Sequence, residues 1–206
     1  MEALALELQC ALIQDGPLGG PCIKHPLVNE IIYFPEMNER YNAMYNHKKE
    51  ALDKTLQNED FNSYVFLHER PWRVQALSRI AAQAEPRAYW DLVASVWTDS
   101  ENIWQNKRVW KKLLTAKAPH REAMMNAKEQ KILKALSKKE KIQVYRGYEK
   151  KGDAKGFSWT TDYAKAEWFA RRFQTEGYHI DSREIPASEA IAYLDGRNEK
   201  EILWIP

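Results

Sequence analysis

The hydrophobic period of this chain changes at Ile142, and that change restricts the fold more than any other feature. Before it, apolar residues recur at helical spacing; after it they fall into short runs with a period of two. From Met37 to Gln57, Tyr41, Met44, Tyr45, Ala51, Leu52 and Leu56 form one helical side. Pro71 and Pro86 stand where a first-turn proline opens a helix, which predicts helices from Pro71 to Ala84 and from Pro86 to about Trp97. Val109 to Leu114 and Arg121 to Leu136 complete a run of helices whose short connections favour antiparallel neighbours. Glu2 to Ile13, with Leu4, Leu8, Ala11 and Leu12, also reads as a helix, stopped at Gly16-Pro17 and followed by a Gly19-Gly20-Pro21 loop.

Beyond the change, Ile142, Val144 and Arg146 share one face of a short strand, with Gln143 and Tyr145 on the other. Phe157 to Thr160 reads as a second strand and Tyr178 to Ile185 as a third. Between them Ala166, Phe169, Ala170 and Phe173 trace an amphipathic helix, with Thr161 or Asp162 as its N-cap. The chain finishes with two apolar runs, Ile191 to Leu194 and Ile202 to Ile205, joined by a polar turn at Asp195, Gly196, Arg197 and Asn198. Helices followed by strands predict an α+β fold, with N-terminal helices packed on a small mixed or antiparallel sheet. The expected organisation is a helix-and-loop extension over residues 1–26 and a single domain over 27–206, helical through 140 and β-rich from 141.

A formal net charge of +2 and an apolar content of 44% describe a soluble chain with no overall pull towards nucleic acid or membrane. The stretch from Lys107 to Lys155 is richer in Lys and Arg and could meet nucleic acid, but its aromatics recur at helical spacing, so a solvated helix face is the favoured reading. Cys10 and Cys22 are too few for a disulfide framework, and Cys22 with His25 lacks the second pair that a zinc site needs, so no metal is expected. The first residues carry Glu2 and Glu7 and no basic leader, which gives the expectation of a cytoplasmic protein.

Chemistry concentrates in the last sixty-five residues. Glu199 and Glu201, at spacing two, are expected to share one strand face, where like charges raise each other's pKa unless a cation, a ligand or a donor compensates. Such a pair can also be a solvated edge that keeps a sheet soluble. Ahead of it, in order, come Tyr145-Arg146-Gly147 and Ser158-Trp159-Thr160.

A YRG, an SWT and an ExE in that order resemble the arginine, serine and glutamate triplet of the mono-ADP-ribosyltransferases, in the clade of the bacterial toxins and arginine-specific ecto-transferases. The stretch also looks like small transferase-like proteins encoded by bacteriophages. The resemblance covers Ile142 to Pro206. It implies NAD as co-substrate, cleavage of the nicotinamide–ribose bond, and transfer of ADP-ribose to a protein acceptor. In the phage setting the acceptor is a host protein and the place of action the bacterial cytoplasm.

By this resemblance Glu201 is the catalytic carboxylate, set against an oxocarbenium-like ribose. Ser158 fixes it, and Thr160 stands for the last residue of the family's STS pattern. Trp159 replaces the middle residue and is expected in the core. Arg146 would bind the NAD pyrophosphate through its planar fork, with Gly147 leaving room for ligand. Phe173 and Tyr178 are the candidates for stacking on nicotinamide; Arg171 and Arg172 are further phosphate candidates. Glu199 implies an arginine acceptor, since a carboxylate can orient a guanidinium. Arg146 could instead make a structural ion pair with the two glutamates. Two other outcomes fit the same residues: an NAD glycohydrolase using water as acceptor, and a non-catalytic binding protein on the same fold.

Overall fold

Asn38 and Asn42, one turn apart, organise the N-terminal part of the chain. The computed structural model describes residues 2–149, 155–172 and 177–206. Helix α1 (Leu6–Gln9) is a single turn, followed by strands β1 (Leu12–Ile13), β2 (Cys22–His25) and β3 (Val28–Glu30), which form an antiparallel sheet in that order. Helix α2 (Asn38–Gln57) buries Tyr41 and Tyr45 beside Asn38 and Asn42. The Asn42 side chain accepts from the Ala5 N–H at 2.7 Å and donates to the Ala3 carbonyl at 2.9 Å, while Asn38 donates to the Glu2 carbonyl at 2.9 Å. These bonds hold residues 2–5 outside the helix, so the helix expected from Glu2 to Ile13 shrinks to one turn.

The segment 1–26, expected as a helix and loop, therefore holds two strands besides that turn. It contributes Leu4, Leu8 and Ile23 to a core shared with Leu27, Val28, Tyr41 and Tyr45. Helices α3 (Phe61–Leu67), capped by Asp60, and α4 (Arg73–Ile80) follow. Pro71 lies in a 3₁₀ turn, Arg70–Trp72, ahead of α4 and not within it. The chain divides into two compact units, residues 1–84 with 95–103, and residues 85–94 with 104–206. Helix α5 (Pro86–Asp99), opened by its proline as expected, contributes to both.

The second unit carries the motif strands. Its helices include α6 (Lys107–Leu114) and α7 (Ala127–Leu136). The helix expected from Arg121 to Leu136 is broken, because Asn126 makes a capping box with Glu129 and restarts the helix after a 3₁₀ turn at Arg121–Met124. Five strands follow: β4 (Lys141–Tyr148), β5 (Ser158–Thr160), β6 (His179–Pro186), β7 (Ala192–Leu194) and β8 (Glu201–Leu203). They form one sheet in the order β6-β4-β5-β8-β7, with every neighbouring pair antiparallel. The fold is α+β, with two antiparallel sheets among the described residues.

Helix α8 (Tyr163–Arg171) packs on β4, and its start is fixed by Asp162, whose carboxylate accepts from the N–H groups of Ala164 and Lys165. Ala166 and Ala170 face the sheet, and Gly147 lets them approach. A Cβ on Gly147 would lie 1.8 Å from the Ala166 carbonyl oxygen and 2.7 Å from the Ala170 nitrogen. The space at this glycine is thus filled by helix backbone. Trp159, on the opposite face, is 1% exposed and meets Trp204 edge to face at 5.3 Å, a core position as expected. Among the described residues no helix is long and apolar enough to cross a membrane.

Candidate functional site

The three motifs occupy three adjacent strands. Arg146 is on β4, Ser158 and Thr160 are on β5, and Glu201 opens β8. Thr160 pairs with Tyr145 on one side and Glu201 on the other, so these three residues share a row and a face. Ser158 is opposite Leu203, one pair away from Glu201 on that face. Strand alternation turns Arg146 towards the other face.

Arg146 nevertheless ties β4 to β5. The β4–β5 ladder has a single pair, and beyond it the Ser158 carbonyl accepts from the Arg146 guanidinium at 2.6 Å, where a main-chain N–H would continue the ladder. The guanidinium lies across Gly156, whose missing Cβ would fall 2.2 Å from the Arg146 Cζ. Lys107 is nearby: burial, then the charges of Lys155 and Arg146, push its pKa down. Its ammonium donates to the Lys155 carbonyl at 2.7 Å and sits 5.2 Å from the Phe157 ring centre. The Arg146 end of the site is crowded with positive charge.

At the other end the two carboxylates meet a cation that sequence reasoning placed only in a turn. Arg197 brings Nη2 to 2.9 Å from Glu199 and 3.9 Å from Glu201. The charge compensation demanded by two close carboxylates is supplied from within their own loop. Strand alternation is not what brings them together. Strand β8 begins at Glu201, and both Asn198 (φ 55°) and Lys200 (φ 48°) are left-handed, which breaks the alternation before it reaches Glu199.

A left-handed lysine costs on the order of 1 kcal/mol, so its surroundings must hold it. The Lys200 N–H donates to Asp195, its carbonyl accepts from the Thr161 N–H, and its ammonium reaches Asp162 at 2.8 Å. The hydrogen bond from Lys200 holds the Asp162 carboxyl below its usual range and raises Lys200 in return. Thr160, 5% exposed, donates to the Glu199 carbonyl at 2.7 Å and accepts from the Asp162 N–H at 3.1 Å. The buried Glu129 carboxylate, besides capping α7, accepts from the Asp195 N–H at 2.6 Å. Loop 195–200 is therefore fastened to α7, to β5 and to the cap of α8.

A pocket of about 340 Å³ opens beside this loop, lined by Asp162, Ala164, Lys165, Trp168, Phe169, Arg197 and Glu199. Trp168 is 59% exposed and meets Phe169 edge to face at 5.0 Å. Arg146, Ser158 and Glu201 are not among the lining residues, and Glu201 stands behind Arg197 with a side chain 5% exposed. Of the predicted stacking aromatics, Phe173 lies outside the described residues. Tyr178 does not line the pocket: it accepts from Arg171 at 2.5 Å, and the same guanidinium lies 4.6 Å above its ring. Arg171 also pairs with Glu167 at 2.8 Å, and Arg172 lies over the Phe169 ring at 5.4 Å.

Trp168, Lys165 and Arg197 are the site residues that sequence reading missed. Trp168 had a signal, since it falls off the Ala166, Phe169, Ala170 stripe and so had no core to enter. Arg197 had none, because its role depends on two left-handed residues that follow it. No family model matches the chain, no curated protein matches it, and no solved structure does.

Proposed function

We propose that the chain is an NAD-dependent mono-ADP-ribosyltransferase that passes ADP-ribose to a protein, at arginine, with release of nicotinamide. The observation that carries this reading is the adjacency of the motif strands. Arg146 is bonded to Ser158, and Thr160 faces Glu201 while its hydroxyl holds Glu199. The arginine, serine and glutamate that follow one another along the chain thus stand on three neighbouring strands.

The residues also suit a dinucleotide. Arg146, Lys107 and Lys155 crowd like charges whose mutual repulsion a diphosphate would relieve. The planar guanidinium of Arg146 is the kind of group that meets phosphate oxygens with paired N–H donors. NAD supplies the leaving nicotinamide and the ribose that turns cationic as the bond breaks. Glu201, nearly enclosed, offers its charge in a low-dielectric setting to that cation, where it counts for more than in water. Glu199, at the pocket wall, is the carboxylate that an incoming guanidinium meets. Trp168 and Phe169 offer aromatic surface on the same wall. The phage resemblance makes a bacterial host protein the acceptor class.

The test is incubation of the full chain with labelled NAD and bacterial extract, wild type beside Glu201→Gln, following both labelled protein and free nicotinamide. Label on a discrete protein, lost in the variant, is the expected result. Free ADP-ribose without labelled protein would replace transferase with NAD glycohydrolase. Absence of both, or equal turnover by the variant, would overturn the enzymatic reading.

A further inference from the structure

We infer that Arg197 is an ADP-ribosylation site of the chain itself, modified by the glutamates it contacts; this rests on the transferase reading above. An arginine acceptor must place a guanidinium nitrogen against Glu199 and close to the carboxylate that stabilises the ribose. Arg197 already does so, with one nitrogen 2.9 Å from Glu199 and 3.9 Å from Glu201. Its side chain is 42% exposed and lines the pocket, so Arg197 borders the space that a ligand would enter.

The backbone holds it there. Asp195 is anchored to Glu129, the Asn198 N–H donates to the Asp195 carbonyl at 2.8 Å, and Lys200 is bound on three sides. Gly196, just before it, has no neighbouring atom within 4 Å of a Cβ position, so the backbone beside Arg197 faces open space. Tethering turns the second reactant into an intramolecular one, which favours this arginine over any dissolved acceptor.

The step balances as follows. The bond between ribose C1′ and the nicotinamide nitrogen breaks, and nicotinamide leaves with the bonding pair as a neutral molecule. An Arg197 terminal nitrogen forms the new bond to C1′ with its own pair. The proton that it sheds passes to Glu199 and then to water, leaving a substituted guanidinium that is still cationic. No oxidant, reductant or metal is required. A charged guanidinium is a poor nucleophile, so the Glu199 contact is what makes this nitrogen competent.

The experiment is incubation of the purified full chain with NAD alone, followed by intact mass and fragment mapping, with Arg197→Lys alongside. Wild type is expected to gain the mass of one ADP-ribose on the fragment carrying Arg197. The modified fraction at each time should stay the same when the protein is diluted about tenfold, because the reaction is within one chain. The Arg197→Lys chain should gain nothing on that fragment. Cleavage of NAD, or labelling of an extract protein, with Arg197 unmodified would overturn the inference and leave the transferase reading standing. So would modification confined to another residue, or a rate that falls with dilution. Absence of NAD cleavage with and without extract would overturn both.

Discussion

Thr160 lies directly opposite Glu201 in the β5–β8 ladder, and its hydroxyl donates to the main-chain carbonyl of Glu199. One side chain thus sets the strand that presents the first carboxylate residue and the loop that presents the second. The same oxygen accepts from the Asp162 N–H, where α8 begins. A buried hydroxyl with both roles filled is a joint between sheet, loop and helix.

Thr160→Val keeps the volume and the strand preference but removes both bonds. It removes two partly buried hydrogen bonds, from the Glu199 carbonyl and the Asp162 N–H, so a loss of about 1–3 kcal/mol in denaturant unfolding is expected. Thr160→Ser should restore most of it. If the joint positions the carboxylates, the valine variant also loses NAD turnover beyond its loss of stability, measured well below the unfolding midpoint. Unchanged turnover would confine Thr160 to a structural role.

Gly147 gives a contrasting outcome. The Ala166 carbonyl stands 1.8 Å from where a Cβ would be, and helix backbone cannot rotate away as a side chain can. Gly147→Ala should cost about 3 kcal/mol or more, shown as a drop in thermal midpoint, with α8 displaced from β4. A loss below about 1 kcal/mol would mean that the helix is not seated on this glycine.

The period change at Ile142 made the β-rich part legible, and the order of Arg146, Ser158 and Glu201 made their strands worth comparing. Trp159 was readable as core because a strand side chain has only two directions to choose from. Three strands of two to four residues at the N-terminus were not readable, because runs so short leave little period to detect, and a proline at position 26 interrupts them. The first helix was overread because Leu4 and Leu8 enter a core at helical spacing while residues 2–5 give their polar groups to Asn38 and Asn42. In the site, the glutamates were found by spacing, but the reason they meet was not. Two left-handed residues bend the loop so that Arg197 returns to both carboxylates, and no periodicity reports a backbone turn of that kind.

Gly156 offers a way to move Arg146 without replacing it. A methyl group at Gly156 would meet the Arg146 Cζ and Nη2 at 2.2 Å, and the far end of a flexible side chain shifts at lower cost than backbone does. Gly156→Ala should therefore change stability by about 1 kcal/mol at most while raising the KM for NAD about tenfold with a smaller change in kcat. That split is the signature of lost ground-state binding. A parallel fall in kcat with KM unchanged would remove Arg146 from NAD binding.

Asp162 yields a pH dependence with a defined sign. Its carboxylate takes a hydrogen bond from Lys200 and caps α8, and both favour the charged form, so its folded pKa lies below the ordinary aspartate range. A group depressed on folding stabilises the native state above its unfolded pKa, and that stabilisation disappears as pH falls through the folded value. Asp162→Ala should cost about 1 kcal/mol at neutral pH, mainly through the lost cap, since a partly exposed ion pair adds little. The difference from wild type should hold between about pH 7 and about pH 5, then shrink as acid protonates the wild-type carboxyl. Unfolding curves for the two chains across that range are the measurement. A gap that persists undiminished in acid would show that the aspartate acts through shape alone, and that neither Lys200 nor the helix start draws on its charge.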